Sequence, residues 1–356
     1  MKEGLILKKG FKILGTLLIL TLCSSVFIGC KDNEKPEINF LNYGANIDDE
    51  SLKLFEEKYG IKVNEETFDD MEQMYTKVSS GAVDYDVILV SDNLMQRMIN
   101  EDLLKEINKE NIPNIEEMDS AYLNLEIDPN NKYSVPYMFG TVGIIYNTDE
   151  IHEEVNSWDI LWDEKYANEI FMFDTYRDTM GIALKRLGYS MNSTNINEIE
   201  EAKKSLIEQK PLVKLYEVDL GTETIASGET LINVIWSGEG LNLEAENPNL
   251  KFIVPKEGAN FWIDSLCIPK NSKNVENAEK FINFLSGKDA QYRIANEIGY
   301  VTPNAKAREM QPDSVKNNPN AYYSKEFLEK CEMYKDFDKD TKKVYDKAWS
   351  EIKLAE

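Results

Sequence analysis

Beyond about the thirtieth residue, the apolar positions of this chain switch repeatedly between short continuous runs and helical spacing. The runs predict strands at Ile38–Leu41, from Ile61, and at Asp86–Val90, Val142–Tyr146, Ile170–Phe173, Leu231–Trp236, Phe252–Pro255 and Trp262–Ile268. Helical spacing predicts helices at Asp48–Lys58, Met71–Ser79, Met95–Glu101, Arg177–Leu187, Glu198–Glu208, Val275–Leu285, Ala290–Ile298 and Lys342–Leu354. A Trp-containing helix is expected near Trp158–Trp162, with His152 on an exposed helix before it. Asp86-Val87-Ile88-Leu89-Val90 is apolar without alternation, as a parallel strand covered on both faces must be. The βαβαβ opening predicts an open α/β sheet with right-handed crossovers, whose ligands sit beyond the carboxyl ends of the strands. Tyr43 and Ser91 fall just past two such ends.

The first 29 residues follow another logic. Lys2, Lys8, Lys9 and Lys12 precede an uncharged apolar stretch, Ile13 to Gly29, the layout of a secretory signal. Phe27-Ile28-Gly29-Cys30 resembles the bacterial lipobox, with Phe27 where leucine is usual. In that reading Cys30 is lipidated and becomes the new N-terminus, and residues 30–36 are a polar tether. Two acyl chains suffice to hold a protein stably on a membrane. The expected location is extracytoplasmic: the outer face of the bacterial cell membrane, or the periplasm.

Charge and composition narrow the chemistry. Asp and Glu number 64 against 40 Lys and Arg, a net charge of −24, so phosphate backbones are repelled and nucleic-acid binding is excluded. A single histidine, His152, leaves no His-rich metal site and no convincing nucleophile–base pair. The acidic runs lack the spacing of a calcium loop, and Gly238 and Gly240 lack the Lys-Ser/Thr ending of a phosphate cradle. No cofactor or metal is expected, and most hydrolase mechanisms fit the composition poorly. Cys267 reads as a buried core cysteine, and its pairing with Cys331 is left open.

A set of longer runs is more specific: Asn42-Tyr43-Gly44, Met74-Tyr75-Thr76-Lys77, Asp128 to Tyr137, Trp158 to Trp162 and Leu184 to Ser190. Val254 to Gly258, Phe261 to Leu266 and Ile298 to Asn304 complete it. In this order they resemble the spermidine/putrescine-binding proteins of polyamine ABC importers, from Ile38 to about Asn304. The resemblance implies a two-lobe periplasmic-binding-protein-like fold with hinge strands and a cleft that closes on its ligand. Lobe one would comprise residues 37–141 with 263–306, and lobe two residues 142–262 with 307–356. It also implies delivery of a polyamine to a membrane permease driven by a separate ATPase.

By the same resemblance, Trp262 and Trp236 are aromatic walls, Asp264 and Asp178 carboxylates for protonated amines, Tyr300 a pocket tyrosine, and Ser91 and Tyr43 contacts from lobe one. Such groups suit the ligand, because aromatic faces wall its methylenes and attract its cations. Departures are equally visible: Tyr43 stands at a tryptophan position, Ala45 at an acidic one, and Asn46 and Asn93 at tyrosine positions. A polar contact near the tail falls on Tyr334 or Lys335. The losses imply a shorter amine, or one with a polar end. Rival readings are the same fold with another cationic or polar solute, and a sensor lipoprotein. Asp174 reads as a loop carboxylate rather than a ligand.

Overall fold

The computed structural model describes residues 35–44 and 46–355; the expected signal segment, Cys30 and Ala45 lie outside them. Among the described residues there are nine strands: β1 (Glu37–Tyr43), β2 (Lys62–Phe68), β3 (Val87–Ser91), β4 (Ser134–Asn147), β5 (Ile170–Phe173), β6 (Val213–Glu217), β7 (Ile232–Trp236), β8 (Leu250–Ile253) and β9 (Phe261–Cys267). They run in the order β2-β1-β3-β9-β4-β7-β5-β6, with β8 on β4. β1 lies parallel to β2 and β3, and β5 parallel to β6 and β7. β9 is antiparallel to β3 and β4.

The 14-residue β4 does two jobs along its length. Ser134 to Thr141 pair with β9, whereas Val142 to Asn147 pair with β7 and β8. The chain therefore leaves one group of strands after Thr141 and returns to it through Phe261.

Local chemistry explains the opening βαβαβ unit. Helix Asp49–Tyr59 starts where Asp48 accepts the Ser51 N–H at 2.9 Å and stops at Gly60, whose φ of 66° closes the last turn. Asp70 and Gly81 bound Met71–Ser80 in the same way. Along β1 and β3 the side chains part to two faces. Phe40, Val87 and Leu89 join Phe55 and Phe281, and Leu41, Ile88 and Val90 join Tyr122 and Phe139. Both faces of β3 are covered, which explains why it carries no polar alternation.

The second group of strands has its own core, with Trp158, Phe171, Phe173 and Ile232 at its centre. The tail divides: Ala321, Tyr322 and Tyr323 pack beside Phe139 and Phe261, while Phe337, Tyr345 and Ile352 pack on helices Tyr176–Arg186 and Ile196–Gln209. Cys267 is buried against Met95, and neither it nor Cys331 is in a disulfide. Among the described residues no helix is long and apolar enough to cross a membrane.

Several elements depart from the sequence pattern. The expected helix at Trp158–Trp162 is present but of the 3-10 kind, anchored by the Trp158 indole donating to the Gly258 carbonyl at 2.9 Å. His152 is exposed but lies in an irregular segment, not on a helix. The pattern misses β6, a partly exposed edge strand, and helix Ser237–Glu246, whose Gly238 and Gly240 weaken its helical signature.

In β4, a Cβ on Gly143 would lie 2.5 Å from both the Ile253 carbonyl and the Phe252 ring. Gly143→Ala is expected to cost about 1–3 kcal/mol and lower the melting temperature by several degrees, read by calorimetry.

Candidate ligand cleft

The carboxyl ends of the parallel strands carry most of the singled-out residues. Tyr43 ends β1, Ser91 ends β3 and Trp236 ends β7, while Asp178 lies in the first turn of the helix that follows β5. Antiparallel β9 supplies Trp262 and Asp264, two residues apart and so on one face. Its register sets Asp264 opposite Ser91, whose hydroxyl donates to the carboxylate at 2.7 Å.

Aromatic rings continue the wall. Phe173 stacks on Trp236 at 5.0 Å, Trp236 meets Trp262 edge-on at 6.4 Å, and Trp262 meets Tyr300 edge-on at 5.2 Å. Two glycines make room for them. A Cβ at Gly140 would sit 2.4 Å from Trp262, and one at Gly238 2.3 Å from Tyr300. Tyr43, Trp236, Trp262 and Tyr300 stay half-buried, whereas Asp178 and Asp264 are buried. The Trp262 indole N–H has no partner.

Asp178 sits on the other flank. It accepts from the Thr175 hydroxyl at 2.5 Å and the Tyr334 hydroxyl at 3.0 Å. Between the two tail candidates, Tyr334 is therefore the one turned inward; Lys335 reaches the exposed Glu126 instead. The Arg177 guanidinium lies over the rings of Tyr334 and Phe337 and donates to Asn192 at 2.8 Å. Asp174 pairs with Lys353 at 2.7 Å, away from this chemistry.

Electrostatics ties the set together. Burial raises the Asp264 carboxyl to about 6, with the Ser91 hydrogen bond opposing it. Burial also raises Asp178, against the stabilising bonds from Thr175 and Tyr334. The Tyr43 hydroxyl is raised by burial and by the charges of Asp264, Asp219, Asp69 and Asp70. That of Tyr300 is raised by burial, then by Glu239, Asp264 and Tyr43. Asp264, Tyr43 and Tyr300 thus share one electrostatic environment.

Two acids escaped the sequence reading. Asp92 directly follows Ser91, is 3% exposed and is raised to about 8. Glu239 is exposed, yet the surrounding protein together with Asp219 and Glu223 raises it to about 7. The signal was present: Asp92 and Glu239 lie one and three residues beyond strand ends already singled out. Asn93 differs from its expected use, since its side-chain oxygen already accepts the Leu94 N–H at 2.8 Å. Asn46 receives the Tyr137 hydroxyl on its backbone carbonyl at 2.6 Å. No group of three or more metal-ligating side chains occurs among the described residues. The arrangement can hold a cation against buried carboxylates while rings wall an apolar linker.

Residues 50–322 match the family described as bacterial extracellular solute-binding protein. The chain is 34% identical over 325 residues to the spermidine/putrescine-binding periplasmic protein of Salmonella typhimurium, covering 90% of this chain and 92% of that one. It is 35% identical over 301 residues to the Escherichia coli protein of that name, covering 83% and 86% respectively. The crystal structure of the spermidine/putrescine ABC transporter substrate-binding protein PotD from Streptococcus pneumoniae superposes with a TM-score of 0.85. It shares 36% identity and covers 90% of this chain and 99% of that one.

Asp264 titrates above the ordinary aspartate value of 3.8 in the fold, so the native state holds its proton more tightly than the unfolded chain. Its ionisation therefore removes stability as the pH rises from about 4 through 6. Asp264→Asn is expected to leave the ligand-free melting temperature nearly unchanged at pH 4. At pH 7.5 it should raise that temperature by several degrees, about 2–3 kcal/mol, in a calorimetric pH series.

Proposed function

Since the chain belongs to the bacterial extracellular solute-binding protein family, we propose that it captures a polyamine of the spermidine or putrescine type outside the cytoplasm and delivers it to an ABC importer. It is a binding protein, not an enzyme. The observation that carries the ligand assignment is the buried Asp264 carboxylate, positioned by Ser91 and set in β9 beside the Trp262–Tyr300 aromatic pair. An ammonium group gains a charge-assisted hydrogen bond there, in a medium where the attraction is stronger than in water. Trp236 and Trp262 offer ring faces and edges to the methylenes, with a cation–π contribution of about 0.5–2 kcal/mol. Asp178 takes a second amine, with Tyr334 fixing its orientation. Tyr43 and Tyr300 complete the walls.

Residues 37–141 with 263–306 form one lobe in this reading, and residues 142–262 with 307–356 the other. They hinge where β4 and β9 pass between them and close on the amine. The monomeric, loaded protein then presents both lobes to a membrane permease driven by a separate ATPase. Cys30 carries the lipid that keeps it at the outer face of the membrane.

Thermal shift of residues 31–356 against putrescine, spermidine, spermine, cadaverine, agmatine, choline and thiamine tests the ligand. A ligand at 100 times its dissociation constant adds about 2.7 kcal/mol, a rise of several degrees. No shift with any di- or triamine would overturn the polyamine reading. Asp264→Asn is expected to weaken binding of the best amine at least tenfold; unaltered affinity would remove Asp264 from the site.

The anchor has its own test. Labelled palmitate should enter the wild-type chain in cells, and Cys30→Ser should abolish both labelling and membrane retention. Equal labelling of the variant would sink the lipid assignment.

A further inference from the structure

Asp92 opens helix Asp92–Asn100, next in sequence to the serine whose hydroxyl is committed to Asp264. Its Oδ1 accepts the Asn93 N–H at 2.8 Å. Its Oδ2 is enclosed by protein and has no hydrogen-bond partner. A carboxylate oxygen in that position is costly unless it is protonated or meets a cation. The charged and titratable groups bearing on Asp92 are Asp264, which repels it, Arg177, which attracts it, and Tyr334, which feels its charge. Arg177 does not satisfy it, because that guanidinium is stacked on Tyr334 and Phe337 and its bond goes to Asn192.

Both acids are buried and the charge of Asp264 reaches Asp92; Asp264 has its serine partner, whereas the enclosed Asp92 oxygen has none. We propose that Asp92 and Asp264 form a two-carboxylate seat for one protonated amine of the ligand, Asp92 giving up its own proton as the amine arrives. The inference rests on the polyamine reading above and adds to it a specificity-determining residue. The resemblance expects an acid at position 45, where this chain has alanine, and Asp92 supplies a further carboxylate directly after the end of β3.

The proton balance is simple. Without ligand near neutral pH, burial and Asp264 keep the Asp92 carboxyl protonated. The ammonium enters already charged, the Asp92 O–H bond breaks, and the proton passes to the buffer. One proton leaves for each amine seated, and affinity rises with pH while the free protein holds that proton, by up to about tenfold per pH unit. Asp264 titrates lower, at about 6, and contributes below that window.

Titration calorimetry of residues 31–356 with spermidine and putrescine, at pH 7.0 in phosphate and in Tris, reads the released proton directly. The expected result is an enthalpy that differs between the buffers by most of one proton's ionisation. Asp92→Asn should lose that difference and bind at least tenfold more weakly. Wild-type binding with no proton release overturns the seat without any variant and leaves the polyamine function standing, as does an Asp92→Asn protein of unchanged affinity. Absence of binding by any amine would overturn both readings.

Discussion

The cleft depends on the backbone of one antiparallel strand. β9 lies between β3 and β4, and its ladder places Asp264 against Ser91 on one side and Met138 on the other. Because strand side chains alternate, Trp262 must share the face of Asp264. The same β4 that holds β9 continues into pairing with β7, the strand that ends at Trp236. A carboxylate, its serine partner and two tryptophans are thus positioned by hydrogen-bonded ladders rather than by loops, so little conformational freedom is left to lose when a ligand enters.

That rigidity has an electrostatic cost. Asp92, Asp178 and Asp264 are all buried, and burial is the leading cause of the rise in each. Hydrogen bonds from Ser91, Thr175 and Tyr334 offset part of it. The remainder is relieved when the carboxyl holds a proton or meets a positive charge. Ligand-free instability and ligand affinity therefore share one origin.

The aromatic wall rests on a similar exchange. Gly140 and Gly238 carry no side chain because the Trp262 and Tyr300 rings occupy the space a Cβ would need. Glycine in a strand or helix sacrifices some local stability. Here that sacrifice lets large rings lie directly on backbone, half-buried and facing the ligand space.

Read alone, the sequence determined the alternation of strands and helices, the burial of strands such as Val87–Ser91 on both faces, and the strand-end positions of Tyr43, Ser91 and Trp236. It did so because hydrophobic period, capping residues and turn glycines act over a few neighbours. The tertiary structure decided what depends on distant parts of the chain. It chose Tyr334 over Lys335, bound Asn93 into its own helix start, and turned Trp158–Trp162 into a 3-10 turn held by Gly258. It also made Asp92 and Glu239 unusual acids. A carboxylate's proton affinity is set by the solvent and charges around it, and those come from segments far away in sequence.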